Sequence, residues 1–187
     1  MSGDIRLETF KSILKDAARP NRFWMTINPI GATGSDGPQS TQPVPEWAET
    51  PMAFTVTSAE LPSMMIGEVD LFWQGMTAKL TSDPTFDAFT CTFINDYDMT
   101  IKNFLDAWMQ VETSISDNTR SSQAHYKAEI LIEQLGRVGE VIRSYMLHGA
   151  WVSMMAAIPL NMGDTNRAEE IQITFNYDYW ELVPNSG

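Results

Sequence analysis

The chain has a single cysteine, Cys91, in 187 residues. That excludes an internal disulfide and a cysteine-based zinc site. Cys91 falls in an apolar alternation, which reads as a buried structural thiol rather than a nucleophile. There are only two histidines, His125 and His148. Neither stands at a metal-ligand spacing from a partner, and each reads as a lone polar residue. Cations are scarce too: 12 Lys and Arg face 24 Asp and Glu, a net charge of −12, with a pI near 4.4. A chain this acidic does not bind nucleic acid by neutralising phosphates, which takes clustered Lys and Arg. The excess either serves solubility or repels a polyanion from a surface it slides past. No apolar run approaches the roughly 18 residues of a membrane span. The opening MSGDIRLETFKSILKD is too charged for a secretory signal. Synthesis in a reducing cytoplasm and no membrane partner are therefore expected.

Catalytic groupings are also missing. Asp83 and Asp87 bracket Pro84-Thr85-Phe86, which reads as a turn ahead of a strand more readily than as an acid–base pair. Gly31, Gly34 and Gly37 have no lysine after them and no strand–helix frame, so they make no phosphate loop. Asp164 and Asn166 are too few for a calcium loop. No catalytic residue, metal ligand or cofactor is assigned, and an enzyme is not expected. A small-ligand β-barrel would need a pocket with convergent polar groups, and no such cluster is visible.

What is present is a chain with 43% hydrophobic residues, which fits one domain over 1–187 with a substantial core. Its most informative stretch is DPTFDAFTCTFINDYDMTIKNFLDAW, from Asp83 to Trp108. Phe89, Cys91 and Phe93 alternate with polar or small residues, the period of a half-buried strand. Asn95-Asp96-Tyr97-Asp98 supplies turn and capping chemistry. Ile101, Phe104, Leu105, Trp108 and Met109 then fall on one helical face. Phe89, Phe93, Phe104 and Trp108, with Trp180 near the end, are the expected core anchors.

Elsewhere the chain reads mainly as strands. An amphipathic helix is predicted over Asp4–Ala18 and ends before Pro20; Phe23–Asn28 follows as a short strand. Residues 29–51, rich in Gly, Pro, Ser and Thr, form a long inserted loop with Val44 and Trp47 as its isolated apolar residues. Trp47 is either an anchor for a neighbouring subunit or a lid on its own domain. Met52–Ala59 alternates. Val69–Trp73 and Met76–Thr81 flank Gln74-Gly75 as a hairpin. Ala128–Gln134 and Glu140–Gly149 make a second hairpin, followed by an apolar segment to Leu160. Ile171, Ile173, Phe175, Tyr177 and Tyr179 point one way along the last predicted strand. Most of the twelve methionines sit at core-like periods. About eight antiparallel strands with one packed helix and an N-terminal helix make a mainly-β sandwich or barrel.

Four short motifs add a resemblance. Ala18-Arg19-Pro20-Asn21-Arg22-Phe23, Ala59-Glu60-Leu61-Pro62, the Thr85–Asp96 strand with its following FLDAW helix, and Asp178-Tyr179-Trp180-Glu181 occur in the order seen in tail tube proteins of contractile-tailed bacteriophages. The chain resembles that family along most of its length, though the family members have a shorter link where 29–51 stands. The resemblance implies the tail tube fold and a structural virion protein. It implies hexameric rings that stack into a hollow tube inside a contractile sheath, meeting baseplate and tail-terminator proteins. Tape measure protein and DNA would pass through the lumen without specific binding. A type VI secretion or tailocin-like tube subunit, or a tube-initiating or terminating protein, would share the fold. Under this resemblance Glu129, Glu133 and Glu140 are candidate lumen-facing acids, or else an ordinary solvated strand face. Val44 and Trp47 are the candidate ring-stacking loop.

Overall fold

The computed structural model describes residues 19–29, 55–114, 119–120, 123–163 and 167–184. The helix predicted over Asp4–Ala18 and nearly all of the 29–51 loop, with Val44 and Trp47, lie outside them. The architecture turns on one 15-residue strand, β9 (Val141–Met155). In its first half β9 pairs antiparallel with β8 (Ala128–Leu135) and with β11 (Tyr179–Val183). In its second half it pairs with β10 (Glu170–Asn176). The sequence pattern ends this strand at Gly149 and starts a separate apolar segment; the structure runs the two together. Gly149 has φ 66°, and the β8–β9 register slips between Ala128 and Ile130 beside it. Glycine adopts that left-handed conformation without steric cost, so the strand bulges there and passes from one sheet layer to the next.

Two antiparallel layers follow from this shared strand. In one, β1 (Phe23–Pro29), β8, β9 and β11 lie side by side. In the other, β9, β10, β5 (Phe89–Ile94) and β2 (Val56–Ala59) do so. Each strand gives alternate residues to one core: Met25 and Ile27, Ile130 and Ile132, Ile171 and Ile173, and Phe89, Cys91 and Phe93. The period-two patterns therefore had one physical cause, a sheet with one buried face. Burial pushes the Cys91 thiol above its usual range, which makes it an inert filler rather than a nucleophile.

Helix α1 (Thr100–Glu112) closes the core with Ile101, Leu105 and Trp108 buried. Phe104, Met109 and, at the far end of the chain, Trp180 pack against that core from partly buried positions. The Trp108 ring lies 5.8 Å from Phe175 and 5.8 Å from Phe104. Its Nε1–H donates to the Tyr126 carbonyl at 2.6 Å, so the one polar atom of a buried indole is satisfied. The helix begins without a side-chain cap at Met99. Instead the Asp96 carboxylate accepts the Thr100 N–H at 2.7 Å. Between α1 and β8 the chain forms a two-residue strand pair, β6 (Thr113–Ser114) with β7 (Thr119–Arg120), and the short helix α2 (Gln123–Tyr126).

Two further expectations change. The last predicted strand is two strands: β10 ends at Asn176, and β11 starts at Tyr179 in the other layer. Tyr179 is consequently exposed, while Ile171, Ile173 and Phe175 are fully buried. Among the described methionines Met25 is the one in the core; Met64, Met65, Met76, Met99, Met154 and Met162 are exposed.

Gly149 gives the first prediction. A methyl group there would meet the Asp178 carboxylate, a flexible neighbour, but the positive φ cannot be relieved. Gly149→Ala is expected to cost about 1–2 kcal/mol by urea unfolding, the penalty for a left-handed non-glycine residue. An unchanged midpoint would mean the strand does not need this bend.

Glu112 gives a second. Beyond Ala150, β9 has no β8 partner, and the Glu112 carboxylate accepts the Val152 N–H at 3.1 Å. Partial burial raises the Glu112 pKa from 4.5 to about 7, with the Val152 hydrogen bond opposing the shift. The folded state holds this proton more tightly than the unfolded chain. The stabilisation is thus complete below pH 4.5 and fades as pH rises through 7. Glu112→Gln should match the parent protein in melting temperature at pH 5 and exceed it at about pH 8. Equal melting temperatures at both would show that the carboxylate is freely hydrated.

Candidate assembly surfaces

Strands β3 (Met65–Trp73) and β4 (Met76–Thr85) form a two-stranded sheet separate from the layers above. They meet at Gln74-Gly75, with φ 47° and 80°, a turn whose twist suits a hairpin. The sequence pattern predicts strands of five and six residues here; the arm has nine and ten. It runs through Asp83 and Pro84, where the sequence pattern predicts a turn. Proline is tolerated because both strands are edges, and the register slips between Ile66 and Glu68 opposite it. Cross-strand pairing sorts the side chains. Val69 faces Leu80, Leu71 faces Ala78 and Trp73 faces Met76, so these six share one face. The other face carries the Glu68–Lys79 ion pair at 2.7 Å. The apolar face is uncovered: Trp73 is 70% exposed, Met76 71% and Leu80 52%. A contiguous apolar face of this kind on a folded chain marks an interaction surface.

The root of the arm is fastened to the body. Trp180 on β11 donates its Nε1–H to the Ser63 carbonyl at 3.1 Å. The Ser63 hydroxyl donates to the Asp87 carboxylate at 2.8 Å. Phe86 packs on Tyr177 with ring centres 6.0 Å apart. Leu61-Pro62, Phe86-Asp87 and Tyr179-Trp180, far apart in sequence, thus converge on one place. The Arg19–Phe23 segment lies nearby. Arg22 donates to the Gly136 and Arg137 carbonyls at 3.1 and 2.6 Å. It also lines a cavity of about 120 Å³ with Pro20, Phe23, Ala59, Leu61 and Ile132. That space is mostly apolar and well below the roughly 300–1,000 Å³ of ligand pockets.

The outer face of the β1-β8-β9-β11 layer is acidic. Glu129 and Glu133 project from it two turns of the pleat apart, opposite Asn28 and Trp24. His148 is not the lone polar residue of the sequence reading. Its ring lies between Glu129, at 3.5 Å, and Glu181, at 3.1 Å, and stacks on Tyr179 at 4.7 Å. Beside it Lys127 pairs with Asp178 at 2.6 Å. Glu140 stands apart, on the Gly136–Glu140 turn. Its carboxylate accepts the Val138 N–H at 2.8 Å. Hydrogen bonds from its own and the Val138 amide hold that carboxyl below its usual range, and Arg22 adds to the effect. The side chain of His125 lies outside the described residues. Among the described strands, β1 and β2 stand at the two ends of the sheet path. Among the described residues no cluster of His, Cys, Asp or Glu could hold a metal ion.

Comparison with known proteins places these surfaces in context. The family described as phage tail tube protein matches residues 18–183. Tail tube protein gp19 of Enterobacteria phage T4 is 21% identical over 168 residues, covering 89% of this chain and 92% of its own. The tail tube protein of Serratia phage KSP90 is 25% identical over 123 residues, 65% of this chain and 68% of its own. Among solved structures, a chain of the PVC sheath–tube complex, an extracellular contractile injection system in its extended state, superposes with TM-score 0.62. It is 14% identical and covers 94% of this chain and 98% of that one.

The exposure of the arm sets an expected outcome. Leu71→Ser with Trp73→Ser should change the unfolding free energy by less than about 0.5 kcal/mol, as for surface positions. Urea titration of the monomer measures it. A loss of 2 kcal/mol or more, the scale of a buried side chain, would show the arm packed on its own body.

Proposed function

Because the chain belongs to the phage tail tube protein family, we propose that it is the subunit of the inner tail tube of a contractile phage tail. It is a structural protein, not an enzyme. In this reading six copies close into a ring and rings stack into a hollow tube, surrounded by a contractile sheath and bounded by baseplate and terminator proteins. Residues 1–187 act as one tail tube domain with 29–51 as an inserted loop. The observation that carries the reading is the arm. Its uncovered apolar face is costly on a permanent monomer and useful on a subunit with a neighbour. Val44 and Trp47 remain candidates for ring stacking on sequence grounds.

The acidic outer face suits the lumen. Tape measure protein and DNA would slide along a wall that does not hold phosphates. Glu129 and Glu133 share that wall; Glu140 lies on the turn at its end. The similarity of fold to an extracellular contractile injection system supports a second reading, a tube that delivers cargo other than a genome. Particles with and without packaged DNA distinguish the two.

Electron microscopy of the purified protein at rising concentration is the test, with rings or tubes expected for the parent chain. Leu71→Ser with Trp73→Ser should stay monomeric at concentrations where the parent polymerises. Normal tubes from the double variant would remove the arm from the assembly. For the lumen, Glu129→Lys with Glu133→Lys should leave tubes intact and slow DNA ejection. The slowing should shrink at 1 M salt, where screening acts within about 3 Å. Unchanged ejection at low and high salt would place this face elsewhere.

A further inference from the structure

Resting on the tube-subunit reading, we propose that Trp180, Ser63 and Asp87 are positioning residues that fix the angle of the β3–β4 arm and so control whether the subunit can join a tube. Among the described strands the arm pairs within itself, and its strands are exposed almost throughout. Among the described residues no hydrogen bond or ion pair along β3 or β4 ties them to the body, so the arm's direction is decided at the root. A nine-residue strand at about 3.3 Å per residue makes a lever of about 30 Å, and a 10° swing at the root moves the tip by about 5 Å. That displacement is larger than the fit of a packed apolar contact tolerates.

The root has two hydrogen bonds in series. β11 is held in the sheet by its ladder to β9, and the Trp180 indole stands on Tyr145 at 5.7 Å. This fixed ring donates to the Ser63 carbonyl, just before β3. Ser63 in turn donates to Asp87, just after β4. One chain of bonds therefore ties both strands of the arm to the sheet. The bonds are solvent-exposed and contribute little to global stability, which separates their orienting effect from a folding effect.

The experiment uses the full chain. Spin labels go on cysteines introduced at Thr77, on the arm, and at Gln172, an exposed position on β10; Cys91 is 1% exposed and takes no label. Trp180→Phe keeps the ring and removes the donor. Asp87→Ala removes the acceptor, while Asp87→Asn retains an oxygen that accepts from Ser63. Trp180→Phe and Asp87→Ala should broaden the Thr77–Gln172 distance distribution and raise the concentration needed for polymerisation about tenfold, with unchanged urea midpoints. Asp87→Asn should behave as the parent. Unchanged distances and assembly in Trp180→Phe and Asp87→Ala would overturn the proposal. So would an assembly loss that merely follows a fall in the urea midpoint. If the parent chain itself does not polymerise, the tube reading fails, and the distance distributions still decide whether the root orients the arm.

Discussion

Everything in this fold is hung on one strand serving two layers. β9 can do so because Gly149 takes a left-handed conformation midway along it, and the chain on either side pairs with different partners. β11 and β10 then lie one after the other along the same strand, and their facing residues share a core with α1. The same arrangement places Trp180 where it meets the root of the arm. A local backbone requirement at one glycine is thus linked, through sheet order, to the position of the surface most suited to contact with another subunit.

Magnitudes favour assembly that depends on many copies. Burying a large apolar side chain contributes about 1.5–3 kcal/mol, and the arm offers five: Val69, Leu71, Trp73, Met76 and Leu80. Association costs about 4–15 kcal/mol in lost freedom and ordering. One arm contact is therefore near balance. A second contact made by the same subunit tips it, because the freedom lost on association is lost only once. On the proposed tube reading, this suits a subunit that adds to a growing end. The net charge of −12 works in the same direction by keeping free subunits apart.

Much of the fold was legible because burial writes itself into period. The β5–α1 unit could be read from the switch between periods two and 3.6 at Asn95–Asp98, and its turn chemistry matched. Legibility failed where pattern and pairing part company. Gly149 reads as a strand end but is a bend within β9. The alternation from Ile171 to Tyr179 runs unbroken through Tyr177-Asp178, although the chain changes sheets there. The arm was underestimated because Pro84 looks like a stop, and because hydropathy cannot tell an apolar face that meets the core from one left in solvent. Long-range chemistry was invisible for a simpler reason. His148 lies between Glu129 and Glu181, and Ser63 between Asp87 and Trp180, by virtue of sheet order, and no local spacing encodes that. The four recognisable motifs did mark the place: three converge on the arm root and the fourth lies beside it.

The central claim is that the apolar face of the arm is covered by another copy of the chain. A cryo-EM reconstruction of polymerised full-length protein tests it directly. Val69, Leu71 and Trp73 should be packed against a neighbouring subunit, with the Trp180–Ser63–Asp87 contacts intact at the root. A well-ordered tube in which that face stays open to solvent would contradict the account.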